Sequence, residues 1–407
     1  MRYISTRGMA PRVDFEGALF SGYAPDGGLF MPEELPQLSI ETLRQWSTLS
    51  YPGLVKELCT LFIGPELIPR DVLNGLIDQA FSRFRHREVV HLSRLRNGLN
   101  VLELWHGVTY AFKDLSLCCT AQFLQYFLEK KEKHVTVVVG TSGDTGSAAI
   151  ESVQGAKNMD IIVLLPKGHC TKIQELQMTT VLRENVHVFG AGCIAQKMGL
   201  PIRLVVAVNR NDIIHRTVQQ GDFSLSEAVE QTLASAMDIQ VPYNMERIFW
   251  LLSGSNSQVT RALMEQFERT QSVSLPKELH SKLSGAVTSE SVSDEAITQT
   301  MARCWEENKY LLCPHSAVAV SYHYQQTEQQ PPSLPRCCLA PASAAKFPEA
   351  VLAAGLTPET PAEILALESK GTRCTPMRKG DDWKLMLRNT IEDISCQQRD
   401  HFLNALE

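Results

Sequence analysis

The chain has 407 residues, of which 44% are hydrophobic and 21% charged, and its formal net charge is −6. At about 150 residues per domain, this length and composition predict two to three globular domains and exclude wholesale disorder. Neither a membrane nor nucleic acid is an expected partner. No stretch approaches the roughly 18 consecutive apolar residues of a membrane span, and 39 basic residues against 45 acidic ones give no overall basic field.

The amino terminus and the cysteines bear on the compartment and on metals. Residues 1–20 carry charges throughout and lack the apolar core of a signal peptide. Eleven cysteines, an odd number without a repeating spacing, favour reduced thiols over a framework of disulfides. Since neither C-x-x-C nor H-E-x-x-H occurs, we expect no structural metal. The sequence therefore predicts a cytoplasmic enzyme.

Residues 1–90 predict a first, mainly helical region. Apolar side chains recur at helical spacing from Val72 to Phe84, and Asp71 is a candidate N-cap for that helix. A turn-rich stretch at residues 22–36 precedes it.

In residues 91–330 the pattern changes to short apolar runs that alternate with helical segments. This alternation predicts an α/β core with parallel sheets. Three nearly continuous apolar runs predict strands that are buried on both faces. They are Val135–Val139, Ile161–Leu165 and Leu204–Val208. A helix is predicted over Ser147–Ala156, between the first two strands. The polar, proline-rich stretch 325–335 predicts a surface loop, and residues 331–407 are assigned to the last part of the core and terminal helices.

A glycine-rich loop, residues 140–147, follows the 135–139 strand and opens a helix. Its glycines allow a tight turn, and the amides at the start of a helix offer donors to an anion. The carboxyl end of a parallel strand is also where ligands bind in such sheets. The loop matches neither the Walker motif nor G-x-G-x-x-G, so an anion site is favoured over a nucleotide fold. The alternative is a turn that only links strand to helix.

Lys113 is the candidate reactive lysine. It ends the segment of residues 105–113, rich in aromatic and small side chains, and precedes an apolar helix predicted from Leu115 to about Leu128. Partial burial and the positive helix terminus would both lower the pKa of its ammonium group, as a Schiff-base lysine requires. This setting suits an aldehyde cofactor, although spacing alone does not identify one.

Ten motifs, in order along nearly the whole chain, resemble the threonine synthase family of fold-type II pyridoxal-phosphate (PLP) enzymes. The motifs are Tyr3–Gly8, Ala24–Pro32, Leu104–Asp114, Val139–Ala149, Ala195–Pro201, Asn209–Asp212, Ala234–Ile239, Tyr243–Arg247, Pro314–Val318 and Lys346–Pro348. The resemblance implies an α/β fold like that of the tryptophan synthase β subunit, with PLP as cofactor.

The resemblance also implies roles at matching positions. Lys113, in the motif F-K-D, would bind PLP covalently and later move the α-proton of the substrate. Phe112 and Asp114 would hold the lysine segment in place. The residues that would bind the substrate carboxylate beside the cofactor ring are Ser142, Gly143, Asp144 and Thr145. The substrate would be a small phosphorylated amino acid.

One departure from the family lies in Leu339–Phe347, which reads LAPASAAKF where the family has LSTAHPAKF. Pro341 replaces the hydroxyl expected near the pyridine nitrogen of PLP, and Ser343 replaces the family histidine. Ser343 is therefore the candidate replacement partner for the cofactor. These changes favour a catabolic phospho-lyase, which degrades O-phosphothreonine and O-phosphohomoserine to 2-oxobutyrate, ammonia and phosphate. Genuine threonine synthase activity is the weaker alternative.

A second departure is a shortfall of several dozen residues after Val186–Gly190, where the chain continues directly with Ala191. In the family this stretch includes an N-W-x-R segment for the substrate phosphate and a P-T-G-x-x-G-N loop that holds the cofactor phosphate. Ala191 is interpreted as the seam of an internal deletion, as an alternative transcript would produce, with the loss of one segment of the sheet. A short helix over Gly192–Leu200 would bridge the strands that remain.

The deletion leaves a second functional class open. Losing even one oxyanion-type donor can cost roughly 10²–10³ in rate, and here a whole loop is absent. The alternative is a non-catalytic variant that acts through a protein partner, including as a cytokine-like factor secreted by a non-classical route.

Overall fold

The computed structural model describes residues 1–141, 143–165, 170–180, 198, 202–329, 335–372, 374–378 and 380–404, the last eight of these without their side chains. The strands are β1 (Tyr3–Ser5), β2 (Phe30–Pro32), β3 (His91–Arg94), β4 (Leu99–Glu103), β5 (Val135–Gly140), β6 (Met159–Leu164), β7 (Leu204–Val208), β8 (Asp222–Ser224), β9 (Ser272–Ser274), β10 (Val287–Ser291) and β11 (Arg336–Ala340).

Helices flank the strands along the described chain. They are α1 (Phe15–Leu19), α2 (Ile40–Trp46), α3 (Tyr51–Phe62), α4 (Arg70–Phe81), α5 (Lys113–Lys131), α6 (Asp144–Val153), α7 (Lys172–Thr179), α8 (Ile213–Gln220), α9 (Met245–Leu252), α10 (Ser257–Thr270), α11 (Lys277–Ala286), α12 (Asp294–Asn308), α13 (Pro314–Gln329), α14 (Pro348–Ala353), α15 (Ala362–Leu365) and α16 (Trp383–Asn404). None of the helices in the described part is long and apolar enough to cross a membrane.

Three parallel pairings confirm the predicted α/β class. Strand β5 pairs with β6, β7 pairs with β10, and β4 pairs with β11 while accepting β3 antiparallel on its other side. Two antiparallel pairs, β1–β2 and β8–β9, complete the described strands. The three apolar runs predicted as strands are all present, and β7 has the predicted bounds.

The amino-terminal helices form one wall of the core around α5, the helix that begins with the candidate lysine. Leu73, Ile77 and Phe81 of α4 are buried together with Phe123 and Phe127 of α5. Burial of apolar surface stabilises the folded state by roughly 25 cal/mol per Å², so these side chains hold the two helices together. This packing therefore fixes α5 and, with it, the position at which the lysine enters the molecule.

Several sequence predictions are wrong in detail. Asp71 lies in the first turn of α4 rather than at its N-cap, which is Pro69. The helix predicted from Ser147 begins three residues earlier, at Asp144. The first five residues of the predicted loop at 325–335 are helical, because α13 continues to Gln329.

Strand β7 is not buried on both faces as predicted, since Val205 is 42% exposed. In the described part of the chain its pairing partner is β10, so one partner strand supports it there. The predicted strand at residues 186–189, the helix Gly192–Leu200 and the seam at Gly190/Ala191 lie outside the described residues.

Candidate active site

The lysine segment is anchored to the segment that departs from the family sequence. Lys113 is the first residue of α5, and the amide of Phe112 before it donates to the carbonyl of Pro341 over 2.7 Å. The amide of Ser343 donates to the carbonyl of Tyr110 over 3.1 Å. These two bonds join the two backbone segments in antiparallel orientation. The candidate lysine and the candidate partner of the pyridine nitrogen therefore lie on adjacent segments.

Asp114 shapes the turn that presents the lysine. Its carboxylate accepts hydrogen bonds from the amide and the hydroxyl of Thr109, each over 2.8 Å. Burial raises the pKa of Asp114 to about 6, although both of these bonds favour the ionised form. A Cβ at Gly107 would stand 2.5 Å from Cβ of Asp114 and closer still to its carboxylate, so the turn needs glycine there.

The ammonium group of Lys113 lies 4.8 Å from the ring centroid of Phe112 and is partly buried. Burial lowers the pKa of Lys113, and the negative charge of Asp144 offsets part of that shift. The predicted direction of this pKa shift is confirmed. A lower pKa increases the neutral fraction of the amine, which is the nucleophilic and basic form.

Asp144 forms a buried ion pair with Lys346, which is 0% exposed. The Lys346 Nζ atom lies 2.7 Å from Asp144 Oδ1 and donates a second bond, of 2.8 Å, to the carbonyl of Thr109. The side-chain amide nitrogen of Gln174, Nε2, also donates to Asp144 Oδ1, over 2.8 Å. Burial opposes ionisation of Asp144, but Lys346 and Gln174 outweigh it and lower the pKa of its carboxyl group. The carboxylate therefore contacts one buried ammonium group and one side-chain amide.

Sequence reasoning missed Lys346 as a member of this site. The residue stands in the motif Lys346–Pro348, which carried the resemblance to the family, but the motif does not indicate a partner for the lysine. Asp144 was assigned to the substrate carboxylate, a role that stays a prediction. In the structure, the carboxylate of Asp144 pairs with the ammonium group of Lys346. A carboxylate repels a second carboxylate, so the Asp144 side chain does not favour the carboxylate of a substrate beside it.

The glycine-rich loop brings Gly143, Asp144 and Thr145 to the start of α6. The amide of Gly143 donates to the hydroxyl of Thr141 over 3.2 Å. At Gly146 a Cβ would collide with the sulfur of Met178, which explains the glycine by close packing. Ser142 lies outside the described residues, so its predicted contact with substrate stays a prediction.

His315 lies behind the ion pair and is buried. Its Nε2 accepts a 3.0 Å hydrogen bond from the amide of Ala236, and its ring stands 4.6 Å from that of Phe347. Burial lowers the pKa of His315 to about 4, against the opposing effect of Asp144. The imidazole is therefore neutral at physiological pH.

Ser343 caps a short 3₁₀ turn, Ala344–Lys346, and borders a cleft. Its hydroxyl oxygen accepts from the amide of Ala345 over 3.3 Å, a bond that does not use the hydroxyl hydrogen. The cleft, of about 130 Å³, is also lined by Trp105, Tyr310 and Glu359. Such a volume is smaller than the roughly 300–1,000 Å³ of typical small-molecule pockets.

The residues described here fit the lysine end and the ring-nitrogen end of PLP. Lys113 supplies an amine of lowered pKa, and Ser343 supplies a hydroxyl on the adjacent segment. The point at which the family carries its phosphate loop, Gly190/Ala191, falls within residues 181–197, which lie outside the described residues.

Comparison with known proteins identifies the relatives of this chain. Residues 2–81 match the family model for the threonine synthase N terminus, and residues 316–387 match the model for the threonine synthase C-terminal region. The proteins named threonine synthase-like 2 of human and mouse are 73% and 69% identical, and each alignment covers 100% of both chains.

The fold is also that of solved threonine synthases, including the following two. Yeast threonine synthase superposes with a TM-score of 0.88 at 29% identity, covering 97% of this chain and 99% of that chain. PLP-bound threonine synthase from Brucella melitensis gives a TM-score of 0.85 at 30% identity, covering 93% and 96%. The fold-type II architecture expected from the sequence is confirmed.

The same comparisons show that this chain lacks residues within the region that it shares with its relatives. The alignment with the human relative extends over 482 positions, whereas the chain has 407 residues, so at least 75 positions (482 minus 407) hold no residue of this chain. A shortfall of this size agrees with the several dozen residues expected from the family motifs. The chain belongs to the threonine synthase family, within the group of relatives named threonine synthase-like 2.

Proposed function

We propose that this chain is a PLP-dependent phospho-lyase that converts O-phosphothreonine and O-phosphohomoserine, with one water, to 2-oxobutyrate, ammonia and phosphate. The observation that carries the proposal is the partly buried amine of Lys113, whose pKa is lowered by burial at the first residue of α5. The PLP-bound relative from Brucella melitensis supports the choice of cofactor.

Each site residue has a role in this proposal. PLP, when bound, supplies the electron sink. Lys113 holds the cofactor and moves the α-proton of the substrate. Ser343 donates its hydroxyl hydrogen to the ring nitrogen. The start of α6, with Ser142 to Thr145, binds the substrate carboxylate through backbone amides, and the positive end of the helix favours an anion there.

The departure at Pro341 and Ser343 supports lyase chemistry over threonine synthesis. Proline has no hydroxyl, and its carbonyl is occupied by the amide of Phe112. Net threonine synthesis requires water to add to a specific carbon of an intermediate, whereas the lyase reaction needs only release and hydrolysis. A site with an altered partner for the ring nitrogen is therefore better suited to the less demanding reaction.

Cofactor binding is the first test. Purified protein mixed with PLP should gain the visible absorbance of a lysine-bound cofactor, and borohydride should abolish it. Lys113→Ala should lose the absorbance, while Lys282→Ala, which changes an exposed lysine paired with Glu278, should retain it. A wild-type protein that lacks this absorbance after incubation with saturating PLP and removal of the unbound cofactor would contradict the proposal.

Product analysis is the second test. Wild-type protein with PLP and O-phosphothreonine should release phosphate and 2-oxobutyrate in equal amounts, and Lys113→Ala should release neither. Threonine formed from O-phosphohomoserine in place of the keto acid would show synthase activity and overturn the lyase assignment.

A non-catalytic protein that acts through a protein partner is the second candidate. The observation that favours it is the shortfall of at least 75 positions relative to the human protein. A folded wild-type protein that takes up no PLP and releases no phosphate would support this candidate.

A further inference from the structure

Two histidines and a glutamate converge where the segment after α4 enters β3, outside the candidate active site. His86, Glu88 and His91 each offer one ligand atom, and these three atoms lie within 4.8 Å of one another. Two imidazoles and a carboxylate are a ligand set that proteins use for zinc and for similar divalent transition metals. The three side chains are partly or fully exposed, so an ion can reach them without opening the fold.

The backbone of the turn holds these groups together. Val89 adopts φ 68°, in the left-handed region, and its side chain is 4% exposed in the core that includes α4 and α5. The amide of Val89 donates to the carbonyl of His86, and the amide of Glu88 donates to His86 Nδ1 over 3.2 Å. Because a buried side chain and backbone hydrogen bonds fix the turn, little ordering remains to be done when an ion binds.

The neighbours of the cluster suit a cation. His91 Nδ1 lies 3.1 Å from a carboxylate oxygen of Glu88, so an imidazole nitrogen and the carboxylate already face each other. The ring of His86 stands 4.6 Å from that of His106, whose Nε2 lies 2.7 Å from a carboxylate oxygen of Glu103. A second carboxylate thus lies behind the row of imidazoles.

We propose that His86, Glu88 and His91 bind a divalent transition-metal ion of the zinc type, with the remaining coordination position taken by water. The spacing is H-x-E-x-x-H, which differs from the C-x-x-C and H-E-x-x-H motifs whose absence led to the expectation of no structural metal. This proposal does not rest on the proposed lyase activity.

A bound ion would restrain the backbone next to the segment that leads to Lys113. Arg85 precedes the first ligand, and its amide donates to the carbonyl of His106 over 3.0 Å while its guanidinium donates to the carbonyl of Gly107 over 2.9 Å. A metal bound at the turn therefore acts on the same backbone that leads into residues 107–113.

Cobalt titration tests the site, because cobalt(II) reports its ligands by visible absorption and replaces zinc. Wild-type protein should develop bands of nitrogen and oxygen ligation that zinc removes by competition. His91→Ala and Glu88→Gln should weaken cobalt binding by about tenfold or more, since even outer-shell changes cost 10–100-fold. The matched control is His134→Ala, which removes a histidine from a simple pair with Asp160 and should bind as wild type does.

Folding is checked on the same proteins. Zinc should raise the melting temperature of wild-type protein and of His134→Ala, but not that of His91→Ala. The proposal is overturned if wild-type protein binds no cobalt, if the double variant His86→Ala/His91→Ala binds it equally well, or if the bands are those of thiolate ligation.

Discussion

The network around the candidate lysine and the edge at β7 differ in how completely they are packed. In the first, Lys346 is 0% exposed and its charge is matched by Asp144 at 2.7 Å. In the second, Val205 of β7 is 42% exposed and Ile202 just before it is 38% exposed. The charged half of the candidate site is thus buried with its counter-charge, whereas two apolar side chains at β7 are partly exposed. A buried charge in this fold is matched at close distance, whereas apolar side chains of a paired strand are left partly exposed.

The largest expected effect comes from breaking the buried ion pair. Asp144→Asn should lower the free energy of unfolding by about 3–5 kcal/mol, because it leaves the ammonium of Lys346 buried without its counter-charge. Urea denaturation measures the change. The double variant Asp144→Asn/Lys346→Met should recover much of the loss, since replacing both partners removes the uncompensated charge.

The control for this prediction is Lys172→Met, which removes an exposed lysine paired with Glu368. Its stability should stay close to that of the wild type. Equal losses in Asp144→Asn and in the double variant would contradict the account of the pair.

A smaller effect is expected from the pH dependence of His315. Its pKa of about 4 in the folded state lies below the ordinary value of 6.5, so the unfolded chain binds the proton more tightly. Its contribution to stability is complete above about pH 6.5 and is lost as pH falls toward 4, by roughly 3 kcal/mol in total. His315→Gln keeps an acceptor for the amide of Ala236 but does not titrate.

The measurement is the free energy of unfolding of both proteins between pH 7 and pH 4, from urea curves. The wild type should lose stability more steeply than His315→Gln over this range. Parallel curves would show that His315 does not carry the difference.

The smallest expected effect is the difference in stability between substitutions on the two faces of β7. Val208→Thr should cost about 1–2 kcal/mol, because Val208 is 5% exposed and the new hydroxyl would be buried. Val205→Thr should change stability by less than about 0.5 kcal/mol, as expected of an exposed site. Denaturation of the two variants side by side gives the comparison, and equal costs would mean that the Val205 face is covered.

The sequence predicts local features of this molecule well and distant pairings poorly. Strand β7 was predicted with its observed bounds, because a continuous apolar run between polar flanks is a local signal. The lowered pKa of Lys113 was predicted because its burial can be inferred from neighbouring residues. The exposure of Val205 was not, because which strands flank β7 depends on segments far along the chain.

The missed groups have the same physical origin. Lys346 meets Asp144 only after β11 has paired with β4 and carried the following turn to the lysine segment. His86 and His91 come together because Val89 takes a left-handed conformation, which is uncommon for a β-branched residue and which no local pattern indicates.

Gly107 limits how this chain can vary. Every single-nucleotide change that replaces a glycine adds at least a Cβ atom, and at this position that atom strikes Asp114. An inherited variant at position 107 would leave Lys113 in the coding sequence while displacing the turn that presents it. A genetic survey that checks only whether the reactive lysine is retained would count such an allele as intact.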